Sequence, residues 1–262
     1  MKLFDSHCHL NDKSYNNDLD EVIKHAHEAN VDALMIVGIT EKTSIQAVSI
    51  AESRPGLYAS VGIHPHDAKD CTQAAPDVLK KLAKNSKVRA WGETGLDFNR
   101  MYSSQESQEK WFIRQIEIAD ELELPLIFHE RETHGRFLEI LKVHHKKGRK
   151  GVVHCFSGNK KELEQYLELG FYIGITGILT IKGRGAYLRE LVPFVPTERI
   201  LIETDAPYLT PAPEKNRTRR NEPAFVKSVL MKLAKERGED PEYLSAALWD
   251  NTCRLFDIDN VF

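Results

Sequence analysis

His7 and His9 stand two residues apart in the segment FDSHCHL. An extended backbone turns alternate side chains to one side, so both imidazoles can face the same cation. Such a pair alone is ordinary, because two histidines at a strand end can equally be satisfied by hydrogen bonds. Further donors follow in GETGLD, FHER, VVHCFSG and IETDAP, where Glu93, His129, His154 and Asp205 each come at the end of an apolar run. Four imidazoles and two carboxylates suffice for two divalent cations that share one carboxylate. Glu93 is the natural bridge, since its segment lies between the two groups of histidines. Two ions about 3.5–4 Å apart stabilise both the attacking and the leaving oxygen of a hydrolytic displacement. Asp205 can ligate, take a proton from the attacking water, or do both, because a carboxylate beside a cation stays ionised at neutral pH. Imidazole with carboxylate suits Zn2+ or Mn2+ and Mg2+ prefers oxygen, which leaves the ion open among Mg2+, Mn2+ and Zn2+.

Other polar residues nearby have blander expected roles. Asp5 and Glu203 each precede a candidate ligand by two residues and are read as hydrogen-bonded carboxylates one layer deeper. His64 and His66 flank the rigid Pro65 in GIHPHD, placed either to contact a substrate phosphate or to cap their loop. His25, His27, His134, His144 and His145 fall in helical patterns and are assigned no chemistry. Cys8, Cys71, Cys155 and Cys253 show no CxxC spacing, so disulfides are not expected. Cys8 and Cys155 adjoin candidate histidines, but strand alternation turns them the other way.

These donors need a scaffold that brings strand ends together. Eight mostly apolar runs recur along the chain: KLFDS, ALMIVG, YASVGI, VRAWGE, LIFHE, GVVHCF, FYIGIT and ILIET. Between them lie amphipathic patterns, such as residues 18–29 with Leu19, Val22, Ile23, Ala26 and Ala29 on one stripe. Residues 104–122 repeat this with Trp111, Phe112, Gln115, Ile116, Ala119 and Leu122. The alternation predicts a (β/α)8 TIM barrel, whose active site gathers at the C-terminal strand ends. The chain's 262 residues match the ~250 typical of that fold, and a single domain over 1–262 is expected. An open doubly wound sheet would bring a glycine-rich phosphate turn, and neither GxGxxG nor GxxxxGK is present. The eighth run is followed by APYLTPAPEKNRTRRNEP and by two helices beginning near Pro223 and Pro241.

A net charge of −3 gives no global positive field, so a polyanion must be held by local groups. The chain begins without a signal-type apolar stretch, and no run approaches the ~18 residues of a membrane span, which predicts a soluble cytoplasmic protein with no obligate protein partner evident. Of two basic clusters, KVHHKKGRK (142–150) belongs to the far face and reads as a solvated turn. KNRTRR (215–220) follows the eighth strand, so Arg219 and Arg220 are expected to lean over the site and fork onto phosphate. Arg131 shares the orientation of His129, and Arg184 sits in the loop after the seventh strand. Phe98, Tyr102, Phe156 and Tyr208 fall in the same loops, where rings either stack on bases, at about 1–3 kcal/mol each, or plug the packing. Arginines and rings around a metal centre fit a single-stranded polynucleotide end.

From FDSHCHL through GIHPHD, GETGLDFNR, HER, HCFSG and YIGITG to LIETDAPYL and RRNEP, the chain resembles the TatD-type deoxyribonucleases, metal-dependent members of the amidohydrolase superfamily. The resemblance implies a (β/α)8 barrel that hydrolyses phosphodiester bonds with two divalent cations, commonly as a 3′-to-5′ exonuclease on single-stranded DNA, with RNA as a second polymer to consider. The family's ligands fall on His7, His9, Glu93, His129, His154 and Asp205. Many relatives carry Cys before the arginine that follows the fifth-strand histidine; here Glu130 replaces it and Arg131 remains. The expected mechanism is in-line attack of activated water, with Glu93 bridging, Asp205 ligating and taking the proton, and Arg131 with Arg219 or Arg220 neutralising phosphate charge. A hydrolase of small amides, lactones or phosphoesters is the alternative. Such relatives often use a carboxylated lysine on the fourth strand, and VRAWGE has none. A non-catalytic nucleic-acid-binding module is the third reading, and the intact donor set argues against it.

Overall fold

Aliphatic and β-branched runs covered on both faces have little choice but parallel strands, and the computed structural model places eight of them in the order of the chain. It describes residues 1–259; residues 260–262, the end of the expected 1–262 domain, lie outside the described residues. The strands are β1 (Leu3–Cys8), β2 (Val31–Val37), β3 (Leu57–Val61), β4 (Val88–Asp97), β5 (Leu126–Arg131), β6 (Gly151–Val153), β7 (Tyr172–Ile175) and β8 (Ile200–Ile202). Each pairs in parallel with the next. Among the described residues, closure between β1 and the segment after β8 is made by an isolated Cys8–Ala206 bridge, with Asp205 N–H donating to His7 C=O at 2.9 Å and His9 N–H donating to Ala206 C=O at 2.7 Å. The expected (β/α)8 barrel is what forms.

Helices α1 (Leu19–Glu28), α2 (Glu41–Glu52), α3 (Ala75–Leu82), α4 (Gln105–Leu122), α5 (Arg136–Val143), α6 (Lys160–Glu168) and α7 (Ala186–Leu191) cover the strands, and α8 (Val226–Arg237) and α9 (Pro241–Phe256) follow β8. Their starts are chemically marked. Thr40 with Thr43, and Asn159 with Glu162, form capping boxes, while Asp240 accepts from Glu242 and Tyr243 N–H ahead of Pro241. The main core lies between sheet and helices. A smaller cluster fills the lower barrel with Phe4, Met35, Ala90, Ile127, Val152 and Leu201, and α9 closes it by packing Trp249 and Phe256 against Phe4.

Two glutamines on the buried stripe of α4 tie this scaffold to the upper loops. Gln115 Oε1 accepts from Ile63 N–H (2.7 Å) and Trp91 Nε1 (3.2 Å), and its Nε2 donates to Ile63 C=O (2.9 Å). Gln108 Oε1 accepts from Asp97 N–H (2.8 Å), and its Nε2 donates to the carbonyls of Asp97 (3.0 Å) and Ser103 (2.9 Å). Buried amides of this kind fix backbone position because every group left unpaired would cost about 1–3 kcal/mol.

Two sequence expectations change. The KVHHKKGRK turn is not wholly solvated: Arg149 is almost buried, donating to both Asp120 oxygens (3.1 and 2.7 Å) and to His144 C=O (2.5 Å). A planar carboxylate near the end of α4 matches the guanidinium fork. His25 and His27 do lie in α1, but His134 precedes α5 at positive φ, His144 caps that helix and His145 lies beyond it. No helix among the described residues is long and apolar enough to cross a membrane.

Replacing Gln115 with Leu keeps the volume but strands the Ile63 amide and the Trp91 indole N–H. Denaturant unfolding should read a loss of about 3 kcal/mol; an unchanged midpoint would show that Gln115 does not hold the loop after β3.

Candidate metal centre

Glu93 reaches the barrel mouth because the chain around it comes abnormally close to β5. Gly92 and Gly95 have φ of +138° and +151°, and a β-carbon on Gly95 would stand 1.8 Å from the His129 carbonyl oxygen. Only glycine fits such a backbone. The β4–β5 register shifts between Gly92 and Thr94, and the β1–β2 register shifts between Asp5 and Cys8, just where the ligand-type residues begin.

All six expected donors converge. His7 Nε2 lies 3.2 Å from His9 Nε2, 3.4 Å from Glu93 Oε2 and 3.7 Å from Asp205 Oδ1, while His9 Nε2 lies 3.3 Å from Asp205 Oδ1 and 3.9 Å from Glu93 Oε2. A cation bound tetrahedrally at 2.0–2.1 Å sets its ligand atoms roughly 3.3 Å apart, so these spacings fit an ion. Around the other oxygen, Glu93 Oε1, stand His129 Nδ1 (2.7 Å), His64 Nε2 (3.4 Å) and His154 Nε2 (3.9 Å). His154 also stacks on His7 with ring centres 3.5 Å apart. Among the described residues, three groupings could hold metal ions: His7, His9 and Glu93; His7, His154 and Asp205; and His64, His66 and His129. No cysteine belongs to them. Cys8 Sγ donates to Met35 C=O, and burial pushes the Cys155 thiol far up.

The deeper carboxylates behave as expected. Glu203 Oε1 accepts from Cys155 N–H (2.6 Å) and lies 2.8 Å from His154 Nδ1, and a β-carbon on Gly174 would collide with it at 2.6 Å. Asp5 accepts from Thr204 N–H (2.8 Å), Thr204 Oγ1 (2.5 Å) and His7 N–H (3.3 Å). His64 caps its loop, Nδ1 accepting from His66 N–H at 3.0 Å, and its other nitrogen faces the second donor group.

Asp97 escaped the sequence reading. It is buried, with Oδ2 2.7 Å from His66 Nε2 and 3.2 Å from His129 Nε2, and Oδ1 accepting from Asn99 and Arg100 N–H. Its signal was strand periodicity, which places Glu93, Gly95 and Asp97 on one face of β4.

Arg219 and Arg220 do not lean over the site. Arg220 grips both oxygens of Asp18 (2.9 and 2.6 Å), reaches Glu222 (3.1 Å) and Ser14 C=O (2.8 Å), and lies over the Tyr15 ring. Arg219 is exposed to solvent, and its carbonyl accepts from Thr210. Asn221 causes this by donating to the carbonyls of Thr204 and Tyr208, which folds the loop back toward α1. The ~540 Å³ cup above the donors is lined instead by Arg100, Arg131 and Arg184, with His66, Tyr102 and Tyr208. Tyr102 and Tyr208 are about half exposed, whereas Phe156 is buried and Phe98 packs on the core.

Charge is balanced inside the cup. Burial works against ionising Glu93, but the surrounding imidazoles, His64 and His154 foremost, outweigh it and hold the carboxyl well below its usual range. Asp205 is lowered against burial by the His9 hydrogen bond and by neighbouring histidines, and Asp97 is lowered against burial by its bonds to His129 and His66. Burial likewise opposes the protons of His129 and His154. Asp97 and Glu93 nevertheless lift His129 to about 9, and Glu203 with Glu93 lifts His154 to about 10. His64 goes the other way, pushed down to about 4 by burial and by His129.

A (β/α)8 barrel that gathers histidines and carboxylates at its strand ends has the architecture of a metal-dependent hydrolase. The chain belongs to the TatD related DNase family, whose pattern it matches over residues 4–257. It is 42% identical over 258 residues to the 3′-5′ ssDNA/RNA exonuclease TatD of Citrobacter rodentium, covering 98% of each chain, and 40% identical to the protein of the same name from Escherichia coli K12, covering 98% of this chain and 99% of that one. Among solved structures, the TatD homolog YJJV from Escherichia coli superposes with a TM-score of 0.90 at 28% identity over 98% of both chains.

Without metal, His129 and His154 hold protons at pH 7, below their values of about 9 and 10. A divalent cation held by these nitrogens would displace those protons, so its apparent affinity should rise with pH between 6 and 9. Calorimetric titration in two buffers of different ionisation enthalpy should read about one to two protons released; zero release would contradict the charge balance described.

Proposed function

We propose that this chain is a metal-dependent nuclease that removes nucleotides from the 3′ end of single-stranded DNA and RNA. The carrying observation is the buried Glu93, whose two oxygens face separate donor groups at the floor of a cup ringed by three arginines. One divalent cation is assigned to His7, His9, Glu93 and Asp205, a second to Glu93, His129 and His154. When bound, the cations supply Lewis-acid stabilisation of the attacking and leaving oxygens. Availability selects the ion among Mg2+, Mn2+ and Zn2+.

The remaining work falls to side chains. Asp205, ionised and partly open to the cup, accepts the proton of the attacking water through a carboxylate oxygen. Asp97 orients the His66 and His129 rings by holding a nitrogen of each. Arg131, Arg184 and Arg100 converge where phosphate charge builds, and the open faces of Tyr102 and Tyr208 suit stacking on any base. Glu203 lies against the inner nitrogen of His154 and so fixes which nitrogen faces the cup. A small neutral amide or lactone would make no use of the three arginines.

Digestion of 3′-labelled single-stranded DNA and RNA, with cations added back singly to chelator-treated protein, tests this reading. Asp205→Asn should lower turnover about 10²–10⁴-fold; undiminished cleavage would exclude Asp205 as the base. A second comparison separates cup from scaffold. Arg131→Ala and Arg184→Ala should raise KM, whereas Arg220→Ala should keep cleavage and lose about 1 kcal/mol of stability from its ion pairs and ring contact. A KM effect of Arg220→Ala equal to that of Arg184→Ala would overturn the assignment.

A further inference from the structure

A second cavity of about 290 Å³ opens beside the cup, between the loops that follow β1 and β2. His9, Ile39 and Tyr208 line both cavities, so the two meet at the first donor group, with the Tyr208 ring edge-on to His9 at 5.9 Å. The far end of this groove is made by Lys13, Asn16, Lys42 and Gln46, all exposed. Neither Lys13 nor Lys42 forms an ion pair among the described residues. The walls are built in advance: Asn11 Nδ2 donates to Val37 C=O (3.1 Å) and Thr43 C=O (2.9 Å), and the Thr40–Thr43 capping box fixes the start of α2. Asp12 is the acid in the lining, and its Oδ1 is occupied by Ser14 N–H at 2.8 Å.

We infer that this groove carries the retained part of a single-stranded polynucleotide, with Lys13 and Lys42 on phosphates 5′ to the scissile one, while the cup takes the departing 3′ nucleotide. The inference rests on the nuclease reading and assigns a direction to it. A strand whose phosphate lies at the junction must occupy both cavities, because His9 belongs to both and to the donor group. The larger cup has Arg100, Arg131 and Arg184 around one volume, which suits a single nucleotide whose phosphate gains charge on release. The groove has two spaced ammonium groups and amide side chains, and it runs out to solvent. Lysines act there as point charges on successive phosphates without selecting bases.

The test compares dT12 with the dinucleotide TpT, whose only phosphate is the scissile one, using metal-loaded protein and its Lys13→Ala/Lys42→Ala double variant. KM for dT12 should rise roughly three- to tenfold, and the dT12-to-TpT ratio of kcat/KM should fall by a similar factor. The slope of log(kcat/KM) against log salt for dT12 should flatten by about 0.7 for each phosphate that the variant no longer neutralises. An unchanged ratio and slope would overturn the groove assignment while leaving the nuclease intact. Equal losses on TpT and dT12 would place the departing nucleotide in the groove and also overturn it. If the unsubstituted protein cleaves neither substrate, the nuclease reading itself fails and the groove assignment with it.

Discussion

The structure depends on keeping one carboxylate, Glu93, ionised where water scarcely reaches. An isolated buried charge costs several kcal/mol even after relaxation, and here the compensation is a ring of imidazoles on both of its oxygens. That requirement dictates much of the surrounding backbone. Gly92 and Gly95 let β4 approach β5 more closely than any side-chain-bearing residue permits, and α4 contributes Gln108 and Gln115 to pin the strand end and the neighbouring loop. The histidines are held in turn from behind, His154 by Glu203, and His66 and His129 by Asp97. The centre is a nested set of charges, each satisfied by a partner from another strand.

This organisation explains how a chain of net charge −3 can address a polyanion. Its other arginines are largely consumed in structure: Arg149 with Asp120, Arg136 with Glu109, Arg220 with Asp18, and Arg237 with Glu239. The cations left around the cup and the groove beside it are few and local, so a phosphate backbone would be drawn to that one face.

Much of this was legible in the sequence, for identifiable reasons. Parallel strands buried on both faces read as apolar runs, and residues at their C-terminal ends are forced to one face, so the eight strands and six donors could be placed from spacing alone. Asp97 was missed because glycine at position 95 interrupts the pattern that would have linked it to Glu93. Arg220 was misplaced because its partner Asp18 lies 202 residues away, and no local pattern reports an ion pair of that separation. The cavity beside the cup left no trace for a related reason. Its walls are ordinary surface lysines and amides from two loops that only the barrel brings together.

The way the cylinder shuts has a consequence for its mechanics. Among the described residues, Cys8 at the end of β1 meets Ala206 beyond β8 in one isolated bridge, and the residues on either side of it are His7, His9 and Asp205. An ion gripped by all three would act as a clasp across the weakest join of the sheet. Without such an ion that join would be the loosest, and the barrel should first come unzipped there, since the rest of its circumference is held by strand ladders. On the proposed function, catalysis and an intact cylinder would then make demands on the same few side chains.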